Sequence, residues 1–396
     1  MHMSSQLRIR VFSMEPLTPL MFRIPKPFGY GERAESLLYP QPSTLVGMIR
    51  SIVWESLNKS FDAQTLLGDS KFTGVIKTDK GKIESTYDFD WRLIGPYLQK
   101  IKGKDKGVYY PLPLDVFVHD EDDARKIIIP DKNSMNIVSE LFGKGEPIVR
   151  IINQRNYLEE FLKERIKKPI GFIHQNDMEK LLNHEYDGSQ IDEARIYYLN
   201  EIIQTVDEPH LAIDKEKKTV LIREGKGFYF ITRKIRLNKE WRFIFGVISL
   251  DTSIEKYFNN LDNKISRFGG ESGYAKIKEE NIQLIEHKQI KKWNEEVPKM
   301  LRLVLTSPAV FIKDNKDTWY PTCLKEPEYH TIRITSIGGW DYLTQSPKPL
   351  HRGIDMGSVY CYKNIQEFKY GDLIIIRKHV AIGFQGAFGS TLIGIW

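Results

Sequence analysis

The chain has 396 residues, of which 41% are hydrophobic, 12% aromatic and 28% charged. That composition can build a core and excludes a disordered chain, and the absence of any apolar run of ~20 residues argues against a helical membrane protein. Lys and Arg outnumber Asp and Glu by 58 to 52, a net charge of +6, which permits a polyanionic partner without requiring one.

Leu7–Met14 reads as a short strand, with Leu7, Ile9 and Val11 on one face and Arg8, Arg10 and Phe12 on the other. The passage from Pro16 to Pro42 carries six prolines, counting both ends. It is expected to be a long shaped loop, because proline denies it helix and central strand. Ser43 or Thr44 then caps a helix to about Leu57, with Leu45, Val46, Met48, Ile49, Ile52 and Val53 as its apolar stripe. From about residue 60 to 195 the pattern is mixed and reads as an insertion decorating a simpler core. Within it Asn153–Lys168 and Asp177–His184 have helical periodicity, and Gly103–Gly107 and His119–Asp123 read as solvated turns.

Strand signals return after Pro209: His210–Asp214, Val220–Arg223, Gly227–Leu237 and Trp241–Leu250 form a meander or hairpins. Ile254–Leu261 reads as a short helix, and Tyr274–Glu280 with Ile282–Glu286 as one bent strand. A boundary is expected at Pro298. Beyond it Met300–Leu305 is a strand partnered by Phe311–Ile312, with further strands at Thr331–Ile337, Gly357–Tyr362 and Asp372–Arg377. The chain closes on a glycine-rich segment.

Sequence signatures of enzymes are mostly missing. There is no GxxxxGK[ST], HExxH or GxSxG. Gly29 to Ala34 formally matches GxGxxA, but prolines on both sides deny it the strand and helix that a dinucleotide site needs. Two cysteines, Cys323 and Cys361, lie far apart, which excludes a disulfide framework and a cysteine zinc site. Met1–Gln6 has no leader-like pattern, so a reducing, cytoplasmic location is expected, with neither metal nor cofactor. His119–Asp123 could offer carboxylates to a hard cation, and Asp88 with Asp90 a carboxylate pair; a solvated turn and surface decoration are the simpler readings.

A metal-independent ribonuclease would need a general base, for which His174, His184, His210, His330 and His351 are the candidates. His210 enters a strand and reads as structural. His351 sits in the basic loop Lys348–Arg352, where RNA contact is favoured. Gly383, Gly386 and Gly389 recur every third residue, with Phe384 and Gln385 between. Such glycines let backbone N–H groups cradle a phosphate, and they equally suit a tight hairpin packing two Phe rings. Lys226–Arg233 nearly fits an RNA-recognition strand, departing at Tyr229 and Arg233. A core-facing aromatic pair with a basic end is the alternative.

Several segments in order carry a resemblance: Pro16–Leu20, Pro27–Gly29, Tyr39–Arg50, Glu208–Asp214, Arg267–Glu271, Leu305–Ala309, Gly339–Asp341, Gly357–Tyr360 and the terminal glycine loop. Together they resemble the third-subunit family of the Cmr complex, the type III-B CRISPR RNA-guided effector, within the repeat-associated mysterious protein (RAMP) superfamily. Gly353–Met356 departs from that pattern, which has a proline-alanine pair there. The resemblance implies an α+β chain of tandem ferredoxin-like (RRM-like) domains: residues 1–290 with the insertion at about 60–195, and residues 298–396 ending in the glycine-rich loop. It implies a non-catalytic subunit of an antiviral complex that grips the repeat-derived 5′ handle of crRNA. Its protein partners would be the large palm-domain subunit and the adjacent RAMP backbone subunit.

Family-like positions for RNA contact are Pro42, Ser43, Thr44, Gly47 and Arg50 at the first helix, Arg267, Gly269 and Gly270, and Gly383, Gly386 and Gly389. Charge adds Lys26, Lys348, His351 and Arg352, and stacking adds Phe28, Phe384 and Gln385 beside it. The rival expectation is a RAMP endoribonuclease that processes precursor crRNA, disfavoured because no histidine lies near the start of the first helix. A purely structural adaptor is the third.

Overall fold

The computed structural model describes residues 8–23, 33–56, 75–77, 83–85, 91–121, 124–129, 170–184, 189–211, 213–214, 216–220, 222–223, 226–227, 229–249, 252–313, 316–321, 324–341, 346–347, 350–365, 368–374 and 389–395. Its principal elements, in chain order, begin with β1 (Ile9–Pro16), β2 (Arg33–Glu35), α1 (Pro42–Ser56), β3 (Trp91–Lys100), β4 (Gly107–Pro111), β5 (Gly171–His174), α2 (Gln175–Asn183) and β6 (Ile196–Tyr198). Next come β7 (Ile203–Leu211), β8 (Tyr229–Leu237), β9 (Trp241–Ser249), a 3₁₀ helix (Thr252–Leu261), β10 (Ile265–Arg267), β11 (Tyr274–Glu280) and α3 (Ile285–Lys291). The C-terminal part adds β12 (Met300–Leu305), β13 (Tyr329–Thr331), β14 (Val359–Lys363), α4 (Tyr370–Ile374) and β15 (Thr391–Ile395). The class is mixed α+β, mostly sheet.

Strand β1 is buried on both faces because the sheet it joins is covered on both. Phe12 and Met14 join the cluster under α1, whereas Ile9 and Val11 join a second cluster on the reverse face. The sheet has eight strands in the order β6-β5-β4-β3-β9-β1-β11-β10, each neighbouring pair antiparallel. α1 starts with Pro42, whose fixed φ and missing N–H suit a first helical position. It starts one or two residues before the predicted cap, and Leu45, Val46, Ile49, Ile52 and Val53 of its stripe are buried. The stretch 60–195, read as an insertion, supplies β3, β4 and β5 of this sheet, with β3 lying directly beside β9. Asn153–Lys168 lies outside the described residues.

The C-terminal sheet runs β13-β14-β12-β15, again antiparallel. One of its faces packs Val304, Val359, Cys361 and Leu392 into the cluster that holds Ile9, Val11, Ile94 and Ile244. Three polar links cross this junction. Arg302 forms a buried pair with Asp115 (2.5 and 2.9 Å) and donates to the Leu181 carbonyl at 3.0 Å. Glu286 on α3 accepts from Tyr97 and, at 3.0 Å, from Tyr110, while Tyr97 reaches Thr306 at 2.9 Å. Gln289, one turn further along α3, donates to the Ile393 carbonyl at 2.8 Å and accepts from the Ile393 N–H at 3.3 Å, as a neighbouring strand would.

Three local expectations are corrected. Ile282–Glu286 is not a strand: α3 begins at Ile285, because His287 Nδ1 accepts the Leu284 N–H at 2.9 Å and caps the first turn. Asp372 lies in α4 rather than in a strand, with its carboxylate accepting from the Lys369 N–H at 3.2 Å. β12 pairs with β14 and β15, while Phe311–Lys313 turns back on Lys316–Thr318. No helix among the described residues is long and apolar enough to cross a membrane.

Candidate nucleic-acid interface

Because β1 runs up the sheet and α1 returns, the start of α1 lies at the end of the sheet where β1 finishes. The turn between β10 and β11 is at the same end, since Pro16 pairs with Ala275. Leu20–Arg23 stitches this end together. Leu20 and Ile235 exchange both backbone bonds (2.8 and 2.7 Å), Gly270 N–H donates to Met21 O at 2.8 Å, and Phe22 N–H donates to Ser36 Oγ at 2.8 Å.

Gly269 has φ +80°, and a Cβ there would stand 2.5 Å from Met21 O. The glycine is therefore required by the chain's own close approach. Gly47 is the opposite case. It is exposed inside a helix, and a Cβ there would meet nothing within 4 Å. Glycine at such a position costs about 1 kcal/mol relative to alanine, and no contact among the described residues asks for it.

Gly47 and Arg50 are three apart and share a helix face. α1 packs against β10 in the opposite direction, and near its far end Glu55 lies 4.0 Å from Lys264. The three steps from Lys264 to Arg267 rise about 10 Å, the length of about seven helical residues. Arg267 therefore comes level with the Gly47–Arg50 turn along the helix axis, while its pairing with Tyr274 sets it on the sheet face away from α1, since the next pair, Ser266 with Ala275, faces the cluster under α1. Arg267 is exposed. Pro42, Ser43, Thr44, Gly47, Arg50, Arg267, Gly269 and Gly270 are thus brought to one end of one sheet.

Three of the remaining candidates are described, and they lie on other elements. Arg352 and His351 lie on a ribbon pairing His351–Ile354 with Ile334–Ile337. Gly389 has φ +77°, and its N–H donates to Pro308 O at 2.8 Å. Lys26, Phe28, Lys348, Gly383, Phe384, Gln385 and Gly386 lie outside the described residues.

Cations on β8 are largely neutralised. Lys234 pairs with Glu208 at 2.7 Å and donates to Glu271 O, and Arg233 pairs with Asp207 at 2.9 Å. That favours packing over phosphate contact for this strand. Three of the candidate histidines have packing roles. His174 caps α2 by accepting the Asn176 N–H and is held below its usual pKa by burial. His210 bonds Thr232 Oγ1 at 2.8 Å and stacks on Phe230 at 4.9 Å. His330 lies against Trp319, with ring centroids 4.2 Å apart. Cys361 is buried, and burial pushes its thiol well above the ordinary value. Among the described residues no His, Cys, Asp and Glu cluster is placed to hold a metal. Sequence reasoning missed Ser36, whose hydroxyl accepts the Phe22 N–H and shapes this end of the sheet; it carries no local signal.

Residues 12–384 match the sequence model of a CRISPR-associated protein family, Cas_Cmr3. No curated protein matches significantly. Solved chains similar to this one include one from a type III-B Cmr-beta complex bound to cognate target RNA, at 18% identity and TM-score 0.47, covering 89% of this chain and 86% of that one. A chain of a Csm3-Csm4 subcomplex from a type III-A complex has 14% identity and TM-score 0.40, covering 98% and 99%. A chain of a Csm1-Csm4 cassette in complex with cA4 has 13% identity and TM-score 0.38, covering 97% and 99%. With the match running over nearly the whole length, the chain belongs to the CRISPR-associated Cas_Cmr3 family.

Proposed function

We propose that the chain is a non-catalytic, RNA-binding subunit of a type III-B CRISPR effector, working in the cytoplasm. It grips the 5′ handle of crRNA and docks the large palm-domain subunit and the adjacent RAMP backbone subunit. The observation that carries the reading is the gathering of Arg50, Arg267 and the glycines Gly47, Gly269 and Gly270 at one end of one sheet: cations beside exposed or turn glycines suit an RNA backbone passing close. Family membership supports the same assembly.

The tandem ferredoxin-like reading is supported by strand order. β1, α1, β3, β9, the 3₁₀ helix and β11 follow one another as β-α-β-β-helix-β, with sheet order β11-β1-β9-β3. β12, β13, β14, α4 and β15 repeat the order as β15-β12-β14-β13, without a first helix among the described residues. We place the two domains at 1–290 and 298–396, joined just after α3. In this reading the largest insertion falls between β3 and β9.

The test is binding of a labelled repeat-derived handle by fluorescence anisotropy across a salt series. Arg50→Ala and Arg267→Ala are each expected to flatten the salt slope by about 0.7, one phosphate contact of a single strand. Unchanged slopes in both would overturn the reading. Incubation with repeat RNA in chelator is expected to yield no 2′,3′-cyclic phosphate, and its appearance would make the chain a nuclease.

A further inference from the structure

The hairpin between β3 and β4 ends in Ile101–Lys106, reading Ile-Lys-Gly-Lys-Asp-Lys. A sequence of this kind usually makes a loose turn. Here it is tied from below. Lys100 Nζ donates to both Asp105 carboxylate oxygens at 2.9 Å and to Tyr197 Oη at 2.6 Å, and lies over the Tyr197 ring at 4.4 Å. Tyr109 Oη donates to Asp105 O at 2.7 Å, and Tyr197 also bonds the Asp105 carboxylate. Ile101 N–H donates to Glu240 O at 2.8 Å, which ties the tip to the turn between β8 and β9.

The one acidic side chain of the tip is therefore consumed holding it in shape. Lys102, Lys104 and Lys106 are left exposed, with Lys239 exposed on the adjoining turn. None of these four has an ion-pair partner among the described residues. Elsewhere Arg10, Arg125, Lys126, Arg195, Arg242, Lys288 and Arg302 are all matched to carboxylates. Glu240, next to Lys239 in the chain, is exposed and makes no ion pair among the described residues.

We propose that this lysine-tipped hairpin is a second contact surface, for the phosphodiester backbone of single-stranded RNA, independent of sequence. Lysine carries a compact, strongly hydrated charge that meets a phosphate as a point contact and reads no base. A pre-shaped tip lowers the ordering cost of that contact. The tip sits at the same end of the sheet as Arg267, since Lys100 pairs with Trp241 where Met14 pairs with Phe243. Four strand spacings, from β3 through β9, β1 and β11 to β10, separate the two, about 19 Å. One strand of RNA can touch both. The inference extends the handle reading and does not depend on the handle being recognised.

The experiment uses the full chain and a labelled 20-nucleotide polyuridine, with anisotropy read from 50 to 300 mM KCl. K102Q/K104Q/K106Q is expected to flatten the salt slope by about 2, three contacts at about 0.7 each, and to weaken low-salt binding about tenfold. K291Q/K299Q/K369Q, which removes the same charge from exposed lysines elsewhere, is expected to leave the slope unchanged. Circular dichroism and melting temperature should match wild type in both. An unchanged slope in the tip variant, equal losses in both variants, or no binding by wild type would overturn the proposal. So would loss of polyglutamate binding with RNA binding intact, which would assign the tip to an acidic protein. Loss of slope at the tip, with Arg50→Ala and Arg267→Ala silent on handle RNA, would uphold this surface and sink the handle reading.

Discussion

Glu286 is a buried carboxyl that accepts from Tyr97 and Tyr110, with no ion-pair partner among the described residues. Burial pushes its pKa up to about 7 from an ordinary 4.5, and the two phenol donors only partly oppose that. A carboxyl with a raised folded-state pKa binds its proton more tightly in the native chain than in the unfolded one. Stability therefore falls as pH rises from about 4.5 to about 7 and is level above that. The shift corresponds to a cost on the order of 3 kcal/mol at pH 8. Glu286→Gln keeps a group that can bond both phenols and removes the titration. The expected result is a melting temperature for the variant that exceeds wild type at pH 8 and matches or falls below it at pH 5. A constant difference across that range would refute the account. A lone Glu in a polar stretch gave no hint of this in the sequence, because the phenols come from residues 97 and 110, far away along the chain.

At the scale of elements, the glycines of the candidate site separate two kinds of requirement. Gly269→Ala must move the Met21 carbonyl or abandon a positive φ, so it should destabilise by more than about 1 kcal/mol in urea unfolding. Gly47→Ala has open space and a helical backbone, so it should leave stability equal or raise it by up to about 1 kcal/mol. Handle binding by Gly47→Ala should weaken all the same if RNA packs on that face. Undiminished handle binding by Gly47→Ala would remove Gly47 from the interface. The legibility of these elements follows their length. α1 has 15 residues and a continuous apolar stripe, and both strand β1 and α1 were readable from periodicity. α3 and α4, with seven and five residues, are set by capping contacts that no local pattern carries. The partners of β12 were misread for a different reason. Its true neighbours lie more than 50 residues downstream, and strand pairing at that range leaves no trace in a single sequence. The candidates that the structure brings to one end of the sheet are those where backbone need and motif coincide, at Arg267–Gly270 and the start of α1. The lysine tip was not legible in the sequence, because its order comes from Lys100 and Tyr197 rather than from the turn itself.

For the whole molecule, the junction between the two sheets decides how the chain behaves as one unit. Arg302 on β12 reaches across to Asp115 and to the Leu181 carbonyl, and both charged side chains are buried. Removing one partner of such a pair strands the other charge, a loss of about 3–5 kcal/mol, whereas replacing both by apolar groups can be close to neutral. Arg302→Met alone should therefore lower the urea midpoint sharply. Arg302→Met with Asp115→Leu should recover most of the difference, in a single transition. Two separate transitions in wild type would show that the halves unfold independently, and that the bridge is weaker than its burial implies.

The amide of Gln289 has a wider bearing. A sheet that ends in an open row of N–H and C=O groups invites another chain to add a strand. At β15 the central row position is occupied from within by a side chain that imitates a strand. The C-terminal sheet cannot be lengthened there by a neighbour without first expelling α3. A partner that approaches this flank therefore meets α3 rather than the bare backbone of Ile393.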